Sequence, residues 1–185
     1  MEAFLVSTGL VALAEMGDKT QLLSLVLAAR FRRPWPIIAA ILVATLANHA
    51  LAGLLGASIN AWLGDDVLRW ILGVSFLAMA AWTLIPDKLD DEESKPGRFG
   101  VFGTTLIAFF IAEMGDKTQV ATVALAAQYA SLFAVVAGTT LGMLLANAPV
   151  VLFGDRITRA VPMKVVHRIA AAIFAVLGVL ALLGI

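Results

Sequence analysis

Six apolar runs divide this chain, three on each side of a polar segment, and the odd number in each half is what most limits its fold. The runs cover about Ala3–Ala29, Pro36–Ser58, Val67–Ile85, Gly100–Ala127, Leu132–Phe153 and Val166–Ile185. Each is long and apolar enough for a membrane-crossing helix. Mean hydropathy is +0.96, and only 14% of residues are charged, where soluble domains carry about a quarter. The expected fold class is an all-α membrane protein with six transmembrane helices.

The halves are copies of one another. Glu15–Ala29 reads EMGDKTQLLSLVLAA and Glu113–Ala127 reads EMGDKTQVATVALAA, an offset of 98 residues. Leu46-Ala47-Asn48 returns as Leu145-Ala146-Asn147 at an offset of 99. After three crossings the second copy starts on the opposite face, so the repeats are expected to be inverted across the membrane, as in many secondary transporters. The expected organisation is a first three-helix repeat over 1–85, an acidic linker over 86–99 and a second repeat over 100–185.

Charge placement gives the orientation. Loops on one side hold Arg30, Arg32, Arg33, Lys88, Lys95, Arg98, Arg156, Arg159, Lys164 and Arg168; the other side holds only Arg69. Basic loops stay in the cytoplasm, which puts the linker inside and both termini outside. A cleavable signal ending at Ala12-Leu13-Ala14 is not expected, because no positive charge precedes the apolar run and Glu2 has the wrong sign. Net formal charge is zero, so the total points to neither an acidic nor a basic partner; no nucleic-acid partner is expected, and the apolar runs make the lipid bilayer the first expected partner.

The repeated heptapeptide places charge at the centre of apolar runs. Met16 is the midpoint of the first run, and Met114 lies near that of the fourth. A charged side chain at that depth costs roughly 2.5–3.5 kcal/mol, and each copy has three. On a continuous helix, Glu15 and Asp18, like Glu113 and Asp116, would share one face. Lys19 is placed for an internal pair with Glu15, and Lys117 with Glu113. Gly17 and Gly115 weaken the helix, and a broken turn is tolerated at this depth only where it lines a cavity.

Inversion would bring the copies together, with Glu15, Asp18, Glu113 and Asp116 as metal ligands. Lys19, Lys117, Thr20, Thr118, Gln21, Gln119, Asn48 and Asn147 are the supporting candidates. Four acids less two lysines leave a formal −2, matching one bare divalent cation. The donors are all oxygen. The chain has no cysteine, which excludes disulfides, thiolate metal sites and cysteine nucleophiles. Calcium, magnesium and manganese suit such a site better than copper(I) or zinc. Metal ligands must be deprotonated, so a cation and protons can exchange on the same acids.

Blander roles compete. The charges could simply lock two turns together. Asn48 and Asn147 could complete the ion site or hydrogen-bond between helices. Ser24 and Thr122 read as back-bonding within their helices. Of the two histidines, His49 and His167, His49 has no counterpart in the second copy and reads as a buried polar residue. Trp35, Trp62, Trp70 and Trp82 read as interfacial anchors, Gly53 and Gly56 as close packing points, and Asp65 and Asp66 as an outer acidic turn.

The doubled E-x-G-D-[KR]-[ST] motif resembles the membrane family that includes Golgi manganese/calcium transporters and bacterial manganese exporters, the GDT-type cation/proton antiporters. The resemblance covers nearly the whole chain, and neither motif departs from the family pattern. It implies a secondary transporter, not an enzyme, that exports Mn²⁺ or Ca²⁺ from the cytoplasm against protons. Glu15, Asp18, Glu113 and Asp116 would be its motif acids, the cation its substrate, and no cofactor is implied. The short form, without leader or long loops, looks like bacterial members in the plasma membrane. An exporter of a cationic organic solute, such as a basic amino acid, is the main alternative; a passive channel and a membrane-embedded enzyme rank below it, the latter for want of any catalytic motif.

Overall fold

The computed structural model describes residues 1–85, 99–154, 156 and 162–184. Its helices are α1 (Glu2–Glu15), α2 (Lys19–Phe31), α3 (Pro34–Trp62), α4 (Asp65–Thr83), α5 (Gly100–Glu113), α6 (Lys117–Gln128), α7 (Leu132–Phe153) and α8 (Met163–Leu183). Of these, α3, α4, α7 and α8 are each long and apolar enough to cross a membrane. The first and fourth apolar runs are each two shorter helices, α1 with α2 and α5 with α6, separated at the charged motif. Among the described residues the fold is all-α, as expected. All of the expected linker but Phe99 lies outside the described residues, as do Lys88, Lys95, Arg98 and Arg159 of the charge count.

Local sequence accounts for the helix ends. α3 starts at Pro34, two residues before the apolar run, with proline in its first turn; the first-turn N–H has no intrahelical partner to lose. Asp65 and Asp66 do not form an outer turn. They open α4 behind the N-cap Gly64, where the positive end of the helix dipole favours acids.

The helices pack in a reciprocal set. α1 and α2 lie on α7, α5 and α6 lie on α3, α3 touches α7, and α4 packs against α8. Exchanging α1–α4 for α5–α8 maps these pairs onto themselves. Small residues allow the close approaches: a Cβ on Gly142 of α7 would stand 2.6 Å from the Thr8 carbonyl oxygen of α1. Gly56 of α3 meets the Val123 carbonyl of α6 in the same way. Between α4 and α8 the rings of Phe76 and Phe174 lie 6.4 Å apart. One apolar cluster gathers around those rings; a second gathers around Leu23, Ile41, Phe109 and Met143.

Candidate metal centre

Each motif breaks its run in the same way. α1 ends at Glu15, Met16 turns to an extended conformation (φ −65°, ψ 118°), and Asp18 caps α2 (φ −80°, ψ 169°). In the second copy Met114 has φ −67° and ψ 120°, and Asp116 has φ −78° and ψ 164°. The glycine between them takes φ 82° at Gly17 and 77° at Gly115, the left-handed region that other residues adopt only at a cost. Its N–H is held by the glutamine four residues on: Gln21 Oε1 accepts from Gly17 at 2.9 Å and Gln119 Oε1 from Gly115 at 2.7 Å. This resembles a capping box, in which a side chain at the third helical position reaches back to a backbone donor.

Because the helix stops between them, Glu15 and Asp18 do not share a helical face; they sit on opposite sides of a break. Glu15 and Glu113 close helix C-termini, where the dipole disfavours an anion. Helix C-terminal ends are where transporters coordinate cations; here the Glu15 and Glu113 carbonyls accept from the Asp18 and Asp116 N–H groups at 3.0 and 3.2 Å.

The two breaks meet. Glu15, Glu113 and Asp116 each offer an oxygen, and these lie within 4.8 Å of one another, all buried. Thr20 donates to Glu15 Oε2 at 2.5 Å, and Thr118 to Glu113 Oε2 at 3.0 Å. The other oxygen of each glutamate, Oε1, is buried with no hydrogen-bond donor among the described residues. Buried carboxylate oxygens of this kind call for a cation or a proton.

The lysines do not make the internal pairs that their i, i+4 spacing allowed. They cross between the copies: Lys117 pairs with Asp18, and Lys19 with Asp116 at 3.7 Å. Breaking the helix moves each lysine to the start of the next segment, away from its own glutamate. Asp18 is therefore buried beside Lys117 and is not one of the three clustered acids.

The other supporting residues brace the breaks. Gln119 Nε2 donates to Asn48 Oδ1 at 2.5 Å, and Asn48 Nδ2 to the Phe110 carbonyl at 3.4 Å. Gln21 Nε2 donates to the Ala146 carbonyl at 3.0 Å. Ser24 does not back-bond; it donates to Asn147 Oδ1 at 2.7 Å, whereas Thr122 does back-bond, to the Thr118 carbonyl at 2.8 Å. Both asparagines thus have their amides engaged between or within helices. His49 is buried with neither ring nitrogen hydrogen-bonded among the described residues. His167, to which the sequence assigns no role, reaches the Met16 carbonyl.

Broken helices that bring buried carboxylate oxygens together inside an apolar bundle are an arrangement found in ion-transporting membrane proteins. The chain matches the family described as "Divalent cation/proton antiporter GDT1" over residues 3–91 and 101–184, and it belongs to that family. It is 57% identical over 175 residues to a "Putative manganese exporter" of Vibrio cholerae serotype O1, covering 94% of this chain and 87% of the relative. It is 26% identical over 195 residues to the "GDT1-like protein sll0615" of Synechocystis sp., covering 94% of this chain and 93% of the relative. No solved structure matches it.

Proposed function

We propose that this chain exports divalent cations from the cytoplasm, manganese foremost and calcium with it, in exchange for protons. In this reading α1–α2 and α5–α6 each make one crossing, for six in all. Residues 1–85 and 100–185 are two three-helix repeats, inverted across a bacterial plasma membrane, with the linker 86–99 cytoplasmic and both termini outside. The reciprocal packing of the two halves and the one-sided distribution of basic residues support that topology. Manganese is favoured by the name of the Vibrio relative.

The observation that carries the proposal is the meeting of Glu15, Glu113 and Asp116 from opposite halves, with two glutamate oxygens unsatisfied. The crossed pairs Lys117–Asp18 and Lys19–Asp116 offset the aspartates formally. The two glutamates are left with −2, the charge of one bare divalent cation. Three oxygens this close suit an ion better than an alkylammonium group, which favours a metal over a basic amino acid. Asp18 is the fourth ligand of the reading, reached by release from Lys117. Cation and protons compete for the same oxygens, and exchanging one divalent ion for two protons keeps the buried charge constant.

The test is flux in proteoliposomes of the unmodified protein, with Mn²⁺, Ca²⁺ and radiolabelled lysine offered separately and internal pH recorded. Metal movement coupled to opposite proton movement is expected, and Glu15→Gln and Asp116→Asn should suppress it. Lysine transport without metal transport would overturn the substrate, and metal flux indifferent to a pH gradient would overturn the exchange.

A further inference from the structure

The two broken turns are not held alike. His167, on α8, places Nε2 2.6 Å from the carbonyl oxygen of Met16. That carbonyl belongs to the residue between Glu15 and Gly17, where the chain is unwound. A carbonyl only accepts, so Nε2 carries the hydrogen. His167 is half-buried, and it joins the first turn across 151 residues of sequence. The duplicated turn has no such tie among the described residues. Met114 is 59% exposed. Arg69, which stands in α4 at the offset of 98 that relates the motifs, is turned instead to Asp66 at 3.6 Å.

We propose that His167 is a positioning residue for the ion site: by holding the Met16 carbonyl it fixes the Met16–Gly17 peptide of the broken turn, one residue beyond Glu15, and through it where that carboxylate stands. The proposal rests on the transport reading above and gives it a direction. One turn of the pair is anchored to α8 and the other has no such anchor among the described residues, so the two halves of the site contribute unequally to grip on the ion. An unwound carbonyl left without a donor is free to rotate, and the glutamate beside it rotates with it. His167 itself touches neither the acids nor an ion; it acts through the backbone.

Two measurements on the full-length protein test this. The first is Mn²⁺ flux in proteoliposomes. His167→Phe keeps a ring of similar size without a donor and should raise KM about tenfold, the upper scale of one lost hydrogen bond to a half-buried carbonyl, with Vmax little changed. His167→Gln, whose amide can donate to the same carbonyl, should restore KM to within about threefold. Equal impairment of the two variants, or a fall in Vmax with KM unmoved, would overturn the proposal.

The second measurement does not depend on the substrate. The chain has no cysteine, so single cysteines at Met16→Cys and Met114→Cys report on each turn through their rate of reaction with a small thiol reagent. Adding His167→Phe should speed labelling at position 16 severalfold and leave position 114 unchanged. No change at position 16 would overturn the proposal whatever ion is carried. Failure of the unmodified protein to move Mn²⁺ would count against the substrate reading alone.

Discussion

The first and second broken turns share seven residues, and their backbones agree within a few degrees at Met, Gly and Asp. Their surroundings do not agree. Lys117 is 2% exposed and Lys19 20%. Met16 is tied to α8, while Met114 is open. Turn geometry is therefore a local property, written by glycine and the glutamine that reaches back. Burial is a property of the flanking helices, whose sequences have diverged. The same heptapeptide thus supplies the same side chains in inequivalent settings, and substitutions made in matched pairs can separate the two contributions.

The largest effect is expected at the residues the turns contribute most alike. Glu15→Gln and Glu113→Gln each remove a formal charge from the clustered oxygens. Transport of Mn²⁺ should fall by more than the roughly 10–100-fold that losing an outer partner of a metal ligand costs. Proteoliposome flux checks it. If one glutamine variant keeps near-full transport, the two copies do not share one site and the comparison breaks.

The lysines come next, and here the turns should diverge. Removing Lys117 leaves Asp18 deeply buried without its crossed partner, and breaking such a pair costs about 3–5 kcal/mol. Lys19 is partly open but its partner Asp116 is 4% exposed, so Lys19→Met should cost less than Lys117→Met yet more than the ~1 kcal/mol of exposed pairs. Thermal unfolding in detergent of Lys117→Met against Lys19→Met reads the difference. Adding Asp18→Asn to Lys117→Met should recover stability, since the unpaired charge is then gone.

How much of this was legible in advance follows the same division. The repeat, the breaks at Gly17 and Gly115 and the meeting of Glu15, Glu113 and Asp116 follow from spacing and from the cost of charge in an apolar run; the seat of Asp18 beside Lys117 does not. The partner of each lysine does not. An i, i+4 rule presumes a continuous helix, and the glycine that breaks it was visible but its consequence for Lys19 and Lys117 was not drawn by spacing alone. Crossed pairing depends on how one half sits against the other, which no local pattern encodes. His167 was illegible for the same reason: its partner is a backbone carbonyl, and any residue type would have supplied it. Asp65 and Asp66 were misplaced because a short acidic stretch after a glycine serves equally well as a turn or as the start of a helix.

Smaller and more even effects are expected at the glycines. With φ of 82° and 77°, Gly17→Ala and Gly115→Ala each force a left-handed alanine, at about 1–2 kcal/mol. Nothing lies within 4 Å of a Cβ on Gly115, so its cost is conformational alone. Closely similar losses of thermal stability would support a turn geometry that is local in origin; a large cost at one site only would show that tertiary packing, not the motif, imposes the break.

The smallest effect separates two residues at one position of the repeat. Ser24 and Thr122 both lie four beyond the motif threonine, and sequence assigns them the same back-bond. Ser24 instead donates to Asn147 of α7, and Thr122 to its own helix. Ser24→Ala removes a buried hydrogen bond between helices and leaves Asn147 Oδ1 without that donor, a loss of about 1 kcal/mol. Thr122→Ala removes only a back-bond that contributes little to a helix whose backbone ladder is already made, and alanine is the better helix former, so stability should change by less than about 0.5 kcal/mol. Chemical or thermal unfolding of the two variants side by side would show it. Equal changes would mean that the α2–α7 bond carries no net stability, and the asymmetry between the copies would then be confined to the lysines and to the hold of His167 on the first turn.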